Sequence, residues 1–114
     1  MAAKTFDQVN KDVQEKVIRF GRLLRSNGIP ISKLVLFGSY AKNKANRNSD
    51  IDVCVVSSQF GKDHIEEMQY LFKQRRNVDV LIEPYPASPA EYSELESPII
   101  WEIRKDGLEF QELL

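Results

Sequence analysis

The chain has a single cysteine, Cys54, so it can form no internal disulfide. The thiol lies inside an apolar run that reads as a buried strand, the usage expected in a reducing compartment. The N-terminal residues MAAKTFDQVNKD contain no apolar signal core, and no apolar run approaches the roughly 20 residues that cross a bilayer. A cytoplasmic protein with no membrane partner is expected. Internal repeats and low-complexity tracts are also lacking, which sets aside solenoids and compositionally biased chains. Neither sign of charge dominates: 16 Lys and Arg stand against 17 Asp and Glu, a net charge of -1. No broad field would draw the chain to nucleic acid, and nucleic acid is not the expected partner. What remains is a 114-residue globular mixture, 42% apolar and 29% charged. That is enough for one core and too little for two, so a single domain over residues 1–114 is expected.

Residues 7–26 carry Val9, Val13, Val17, Phe20 and Leu24 at steps of four, four, three and four, the period of an amphipathic helix. Asn27-Gly28 and Pro30 then end it. Residues 31–37 hold the short apolar run LVLF and read as a buried strand closed by Gly38. Ser39 stands where a helical turn could begin, and a strand running into Gly-Ser and such a turn presents free backbone N–H groups to phosphate. Residues 43–49 are polar and read as a loop. Ile51–Val56, almost wholly β-branched, reads as an interior strand with Asp50 and Asp52 on one face at its entrance. A second helix is expected over residues 63–76 and a third strand over residues 78–82, VDVLI, parallel to the second and carrying Asp79. The three prolines in residues 83–89 predict a loop. Ser88-Pro89 predicts a short helical turn, and Ser97-Pro98 a better helix start running through Trp101 to Lys105. Residues 108–114 would form an edge strand or a tail.

Acids in apolar strands conflict with burial, and such conflicts mark functional sites. Asp50, Asp52 and a third carboxylate from a neighbouring strand would repel one another unless a cation neutralised them. Their hard oxygens suit Mg²⁺ or Mn²⁺ rather than zinc. A phosphate-binding turn across a short loop completes the requirements of a nucleoside triphosphate and its magnesium.

Gly38-Ser39, ten intervening residues, Asp50-x-Asp52 and a later Asp79 in an apolar run together resemble the nucleotidyltransferase superfamily related to DNA polymerase β. Within it the small size resembles the minimal nucleotidyltransferase family. The likeness spans residues 34–82, about two-fifths of the chain. The family often has glycine where this chain has Asn43, and asparagine tolerates the left-handed conformation better than most residues. The resemblance implies an α+β nucleotidyltransferase fold, with a mixed central sheet of three to five strands flanked by helices. It implies transfer of a nucleoside monophosphate, AMP from ATP, to an acceptor hydroxyl. Asp50 and Asp52 match the metal-bridging pair and Asp79 the third catalytic acid of a site for two Mg²⁺ ions, with Mn²⁺ as the alternative. Gly38 and Ser39 match the groups that hold the β- and γ-phosphates, and Lys42 could add charge there. Members often pair with a helical HEPN-type toxin, which makes a tyrosine of such a partner the expected acceptor and a type VII-like antitoxin the expected role. A non-catalytic nucleotide-binding antitoxin and a small-molecule, aminoglycoside-type transferase remain alternatives, and self-association is left open.

The other prominent residues have plainer readings. Lys42, Lys44 and Arg47 also fit a solvated loop, and Lys73, Arg75 and Arg76 the wet last turn of a helix. His64 reads as an exposed side chain and Cys54 as core, while Trp101 fits either a core or a partner surface.

Overall fold

The computed structural model describes residues 9–46 and 48–114. Helix α1, Lys11–Ser26, is capped by Asn10, whose side chain accepts from the Asp12 N–H, and it buries Val13, Val17, Phe20 and Leu24. Beyond Asn27 the chain turns at Gly28, where φ is +87°. The sequence expectation for this helix began at Asp7, which lies outside the described residues.

Strand β1, Lys33–Phe37, pairs antiparallel with β2, Ile51–Val56, in a register that sets Phe37 opposite Asp52. From β2 the chain crosses over through α2, His64–Gln74, and a 3₁₀ turn, Arg75–Asn77, into β3, Ile82–Ala87. β3 lies parallel to β2, as a strand-helix-strand unit of this length requires. Two short helices follow, α3 at Pro89–Tyr92 and α4 at Pro98–Asp106, each with proline in its first turn behind a serine cap. β4, Leu108–Glu109, returns antiparallel to the free side of β1, the edge strand anticipated for the tail. The result is a mixed four-stranded sheet of order β3-β2-β1-β4 flanked by helices.

Alternation along the strands divides the core in two. On one face Leu34, Leu36, Ile51, Val53, Val55 and Ile82 pack with the α1 stripe and with Leu71 of α2. On the other, Val35, Cys54, Val56 and Ala87 pack with Tyr92 of α3 and with Ile100 and Ile103 of α4. Asp52 shares the parity of Cys54 and Val56, so it belongs to the α4 side.

The third strand corrects the sequence reading. Residues 78–81, expected as strand, form a turn, and the proline-rich segment expected as loop is the strand. In the turn the Asp79 side chain accepts from the Leu81 N–H at 2.7 Å, a local bond that competes with extended pairing. The prolines are tolerated because β3 is an edge strand. Leu81 and Ala87 turn their carbonyls toward β2, where they accept from Ile51 and Ser57. The intervening even-numbered positions, including Pro84 and Pro86, therefore direct their backbone nitrogens outward, where no ladder bond is lost.

Candidate active site

β1 ends at Gly38, which has φ +72°, a left-handed conformation that suits glycine. A Cβ at this position would collide with the Asp52 carboxylate, so glycine is required twice over, for its backbone and for its bareness. The helix that Ser39 could have opened is a turn instead. The Lys42 N–H donates to the Gly38 carbonyl at 3.1 Å and the Lys44 N–H to the Ser39 carbonyl at 2.9 Å, after which Asn43, at φ +60°, redirects the chain. The turn thus offers backbone donors without a helix dipole behind them. The loop that follows is organised by Asn46, whose side chain accepts from Asn48 N–H and whose carbonyl accepts from the Tyr40 hydroxyl. Arg47 lies outside the described residues.

The register sets Phe37, Asp52 and Glu83 side by side across three strands. Burial is the main cause that pushes the Asp52 carboxyl up to about 6 from an ordinary value of 3.8, and the charges of Asp50 and Glu83 add to it. Ionised Asp52 is therefore disfavoured by its surroundings. Asp50 is exposed at the strand entrance. Among the described residues no three acidic, His or Cys side chains converge closely enough to enclose a cation. The chemistry of the donors nevertheless suits a hard divalent ion: Asp52 and Glu83 stand on paired positions of β2 and β3, Asp50 lies two residues before Asp52, and their mutual charge imposes on Asp52 a cost that a cation would relieve.

Asp79 is not brought to this cluster. Its carboxylate pairs with Lys16 of α1 at 2.7 Å, and Lys16 also holds Asp12 at 2.9 Å. The Lys16 bond, reinforced by the Leu81 N–H, holds the Asp79 carboxyl below its ordinary range. Asp79 precedes β3 by a whole turn and is tied to the helix covering the opposite face of the sheet, whereas the place beside Asp52 belongs to Glu83. Sequence reasoning missed Glu83 because it was counted into a loop. The alternation Ile82-Glu83-Pro84-Tyr85-Pro86 would have revealed it had the prolines been read as outward-facing edge positions.

Lys42 reaches α4, where its ammonium pairs with Glu102 at 3.1 Å. Cys54 is buried, and burial pushes its thiol up to about 12, which suits a core side chain and not a nucleophile. His64 is exposed, and Trp101 lies on the α4 surface under the ammonium of Lys105. No helix among the described residues is long and apolar enough to cross a membrane.

A small mixed sheet that sets Asp52 beside Glu83 and against a glycine turn has the arrangement that suits phosphate transfer by charge and position. The model of the nucleotidyltransferase domain family matches residues 8–109, and the chain belongs to that family. It is accordingly a nucleotidyl-transferring domain, of a family that generally uses divalent metal ions. Among solved structures, an inferred nucleotidyltransferase from Sulfolobus solfataricus shares the fold with a TM-score of 0.57 at 17% identity, over 86% of this chain and 82% of that one. A toxin-antitoxin determined with AMP-PNP shares it with a TM-score of 0.52 at 24% identity, over 84% of this chain and 70% of that one. A mutant of the toxin-antitoxin MntA-HpeT overlays at a TM-score of 0.46 with 23% identity. No curated protein is significantly similar in sequence.

Proposed function

We propose that this domain moves AMP from ATP to a hydroxyl of a partner protein, with a tyrosine of a helical HEPN-type toxin as the acceptor, and so acts as a type VII-like antitoxin. The observation that carries the reading is Asp52, which lies against Gly38, is paired in register with Glu83, and is destabilised as an anion by burial and by the charges of Asp50 and Glu83. The choice of ATP and of a toxin partner is supported by the relative that is a toxin-antitoxin with AMP-PNP.

In the reaction the acceptor oxygen bonds to the α-phosphorus, the α–β phosphate linkage breaks, and pyrophosphate leaves with the electron pair. Asp50, Asp52 and Glu83 would hold two Mg²⁺ ions, which when bound supply positive charge to the attacking oxygen and to the leaving phosphates. Gly38 and Ser39 receive the β- and γ-phosphates through backbone N–H groups and the Ser39 hydroxyl, and Lys42 adds charge once it exchanges Glu102 for phosphate. Glu83, on the outermost strand, stands where an acceptor can approach from solvent, and it takes the acceptor's proton. In this reading Glu83 replaces Asp79 as the third acid, and Asp79 secures the turn that leads into β3.

The test is transfer of label from α-phosphate-labelled ATP, with magnesium, to a candidate helical partner. Label on the partner that is lost in Asp50→Ala, Asp52→Asn and Glu83→Gln is the expected result. Transfer that persists in Asp52→Asn would refute the catalytic reading. Neutralisation of the toxin by Asp52→Asn, undiminished, would assign the domain to the non-catalytic class.

A further inference from the structure

Of the three cations at the end of α2, Lys73 and Arg76 are exposed and Arg75 is not. Its guanidinium lies over the Phe72 ring, 4.5 Å from the centroid, and Nη1 donates to the Ile82 carbonyl at 2.9 Å. That carbonyl is one of the outward-facing groups of β3, so Arg75 wraps the free edge of the sheet. The same Nη1 lies 3.5 Å from Oε1 of Glu83. A stacked and hydrogen-bonded guanidinium is fixed in place, unlike a free surface charge, and little further conformational freedom is lost when it meets a carboxylate.

We propose that Arg75 is the resident counter-ion of Glu83, and that a divalent cation entering the acid cluster must compete with it, so that Arg75 sets the cation affinity of the site. The inference rests on the reading of Glu83 as the third acid. The geometry gives the competition a direction: Arg75 approaches from the outer edge of β3, whereas Asp52 lies on the inner neighbour β2, so the two claims on the carboxylate come from opposite sides. The Glu83 side chain is 40% exposed and that of Arg75 24%, which places the contact among partly solvated pairs. Such pairs correspond to a change of roughly two- to fivefold in an equilibrium constant, and salt weakens them.

The experiment is a Mn²⁺ titration of the whole chain without nucleotide, with free Mn²⁺ followed by electron paramagnetic resonance at low and high salt. Wild type is compared with Arg75→Met, Arg75→Lys, Glu83→Gln, Asp52→Asn and the double variant Arg75→Met/Glu83→Gln. Arg75→Met is expected to bind Mn²⁺ about two- to fivefold more tightly at low salt, with the gain shrinking at high salt. Arg75→Lys, which keeps the charge but loses the stacked guanidinium, is expected to fall between wild type and Arg75→Met, and the double variant matches Glu83→Gln alone. A purely structural role for Arg75 predicts weaker binding, because the Ile82 bond is lost. Unchanged or weaker binding by Arg75→Met while circular dichroism shows it folded, or an equal gain in the Glu83→Gln background, would overturn the proposal. If Asp52→Asn leaves Mn²⁺ affinity unchanged, the acid-site reading itself fails and the counter-ion role with it. If Asp52→Asn weakens binding but Arg75→Met does not tighten it, only the counter-ion role fails.

Discussion

Replacing Asp52 by asparagine should stabilise the fold while removing the activity, and the size of the gain follows from the carboxyl's surroundings. The group ionises near 3.8 in an unfolded chain and at about 6 in the folded one, because burial and the charges of Asp50 and Glu83 oppose its negative form. The folded state therefore binds the proton more tightly. Below about pH 4 both states are protonated and ionisation imposes no cost. Between about pH 4 and 6 the unfolded chain gains the charge first, and the cost to the folded state grows until it is complete above about pH 6. A shift of this size corresponds to about 3 kcal/mol if the group were fully shielded, and about 1–2 kcal/mol once the solvent open to a half-buried carboxylate is allowed for. At about 4 °C per kcal/mol for a domain of this size, Asp52→Asn should melt about 4–8 °C above wild type at pH 8 in chelator. The difference should vanish by about pH 4, since asparagine then replaces a neutral acid. Thermal melts of both proteins from pH 4 to pH 8 decide the matter. A variant that melts below wild type at pH 8, or a gap of equal size at both ends of the range, would refute the electrostatic account. Mg²⁺ should raise the melting temperature of wild type more than that of the variant, because only wild type has the repulsion to relieve.

Three further outcomes follow from the geometry. Gly38→Ala combines a left-handed backbone with a collision against Asp52 and should cost about 2 kcal/mol or more in denaturant unfolding; a cost under about 0.5 kcal/mol would mean that the turn is not held as described. Asp79→Asn should cost about 1 kcal/mol near neutral pH yet retain label transfer, whereas Glu83→Gln should lose it, and the opposite ranking in the transfer assay would restore Asp79 as the third acid. Because the Asp79 carboxyl lies below its ordinary value in the folded state, its contribution is present above about pH 4 and is lost as the pH falls through that folded value, so the stability gap should close in acid. Lys42→Met should leave the melting temperature unaltered and raise the KM for ATP about threefold or more; an unchanged KM would restrict Lys42 to its partner Glu102.

The parts of the candidate site legible in the sequence were those carried by neighbours in the chain. Gly38 could be read because an apolar run stops there. Asp50 and Asp52 could be read because acids at alternate positions stand out against IDVCVV. The first two helices and strands were legible for the same reason, since their periods are local. Glu83 was hidden by two effects. The prolines on either side of it argue for a loop unless the strand is known to be an edge, and edge position is a property of the whole sheet. VDVLI also has the composition of a strand, and it is the bonds made by Asp79, accepting from the Leu81 and Ile82 N–H groups and donating to the Arg75 carbonyl, that show it turns. The residue beside Asp52, which the proposed function takes as the third acid, thus depended on a register between β2 and β3 that no local window contains. Arg75 was obscured likewise, because a cation in a last helical turn is ordinarily a solvated one, and only its contacts across to Ile82 and Glu83 distinguish it.

The outward-facing prolines of β3 also limit what can pair with that edge of the sheet. Many peptide-binding domains extend a sheet by accepting an extended segment along an open edge, using the row of unpaired backbone groups there. Along β3, Pro84 and Pro86 have no N–H to offer and the Ile82 carbonyl is already taken by Arg75. Strand addition along β3 would therefore gain fewer ladder bonds than an ordinary open edge provides. In the proposed reaction this favours an acceptor that comes over the end of the sheet on a folded partner surface over one carried by an extended peptide.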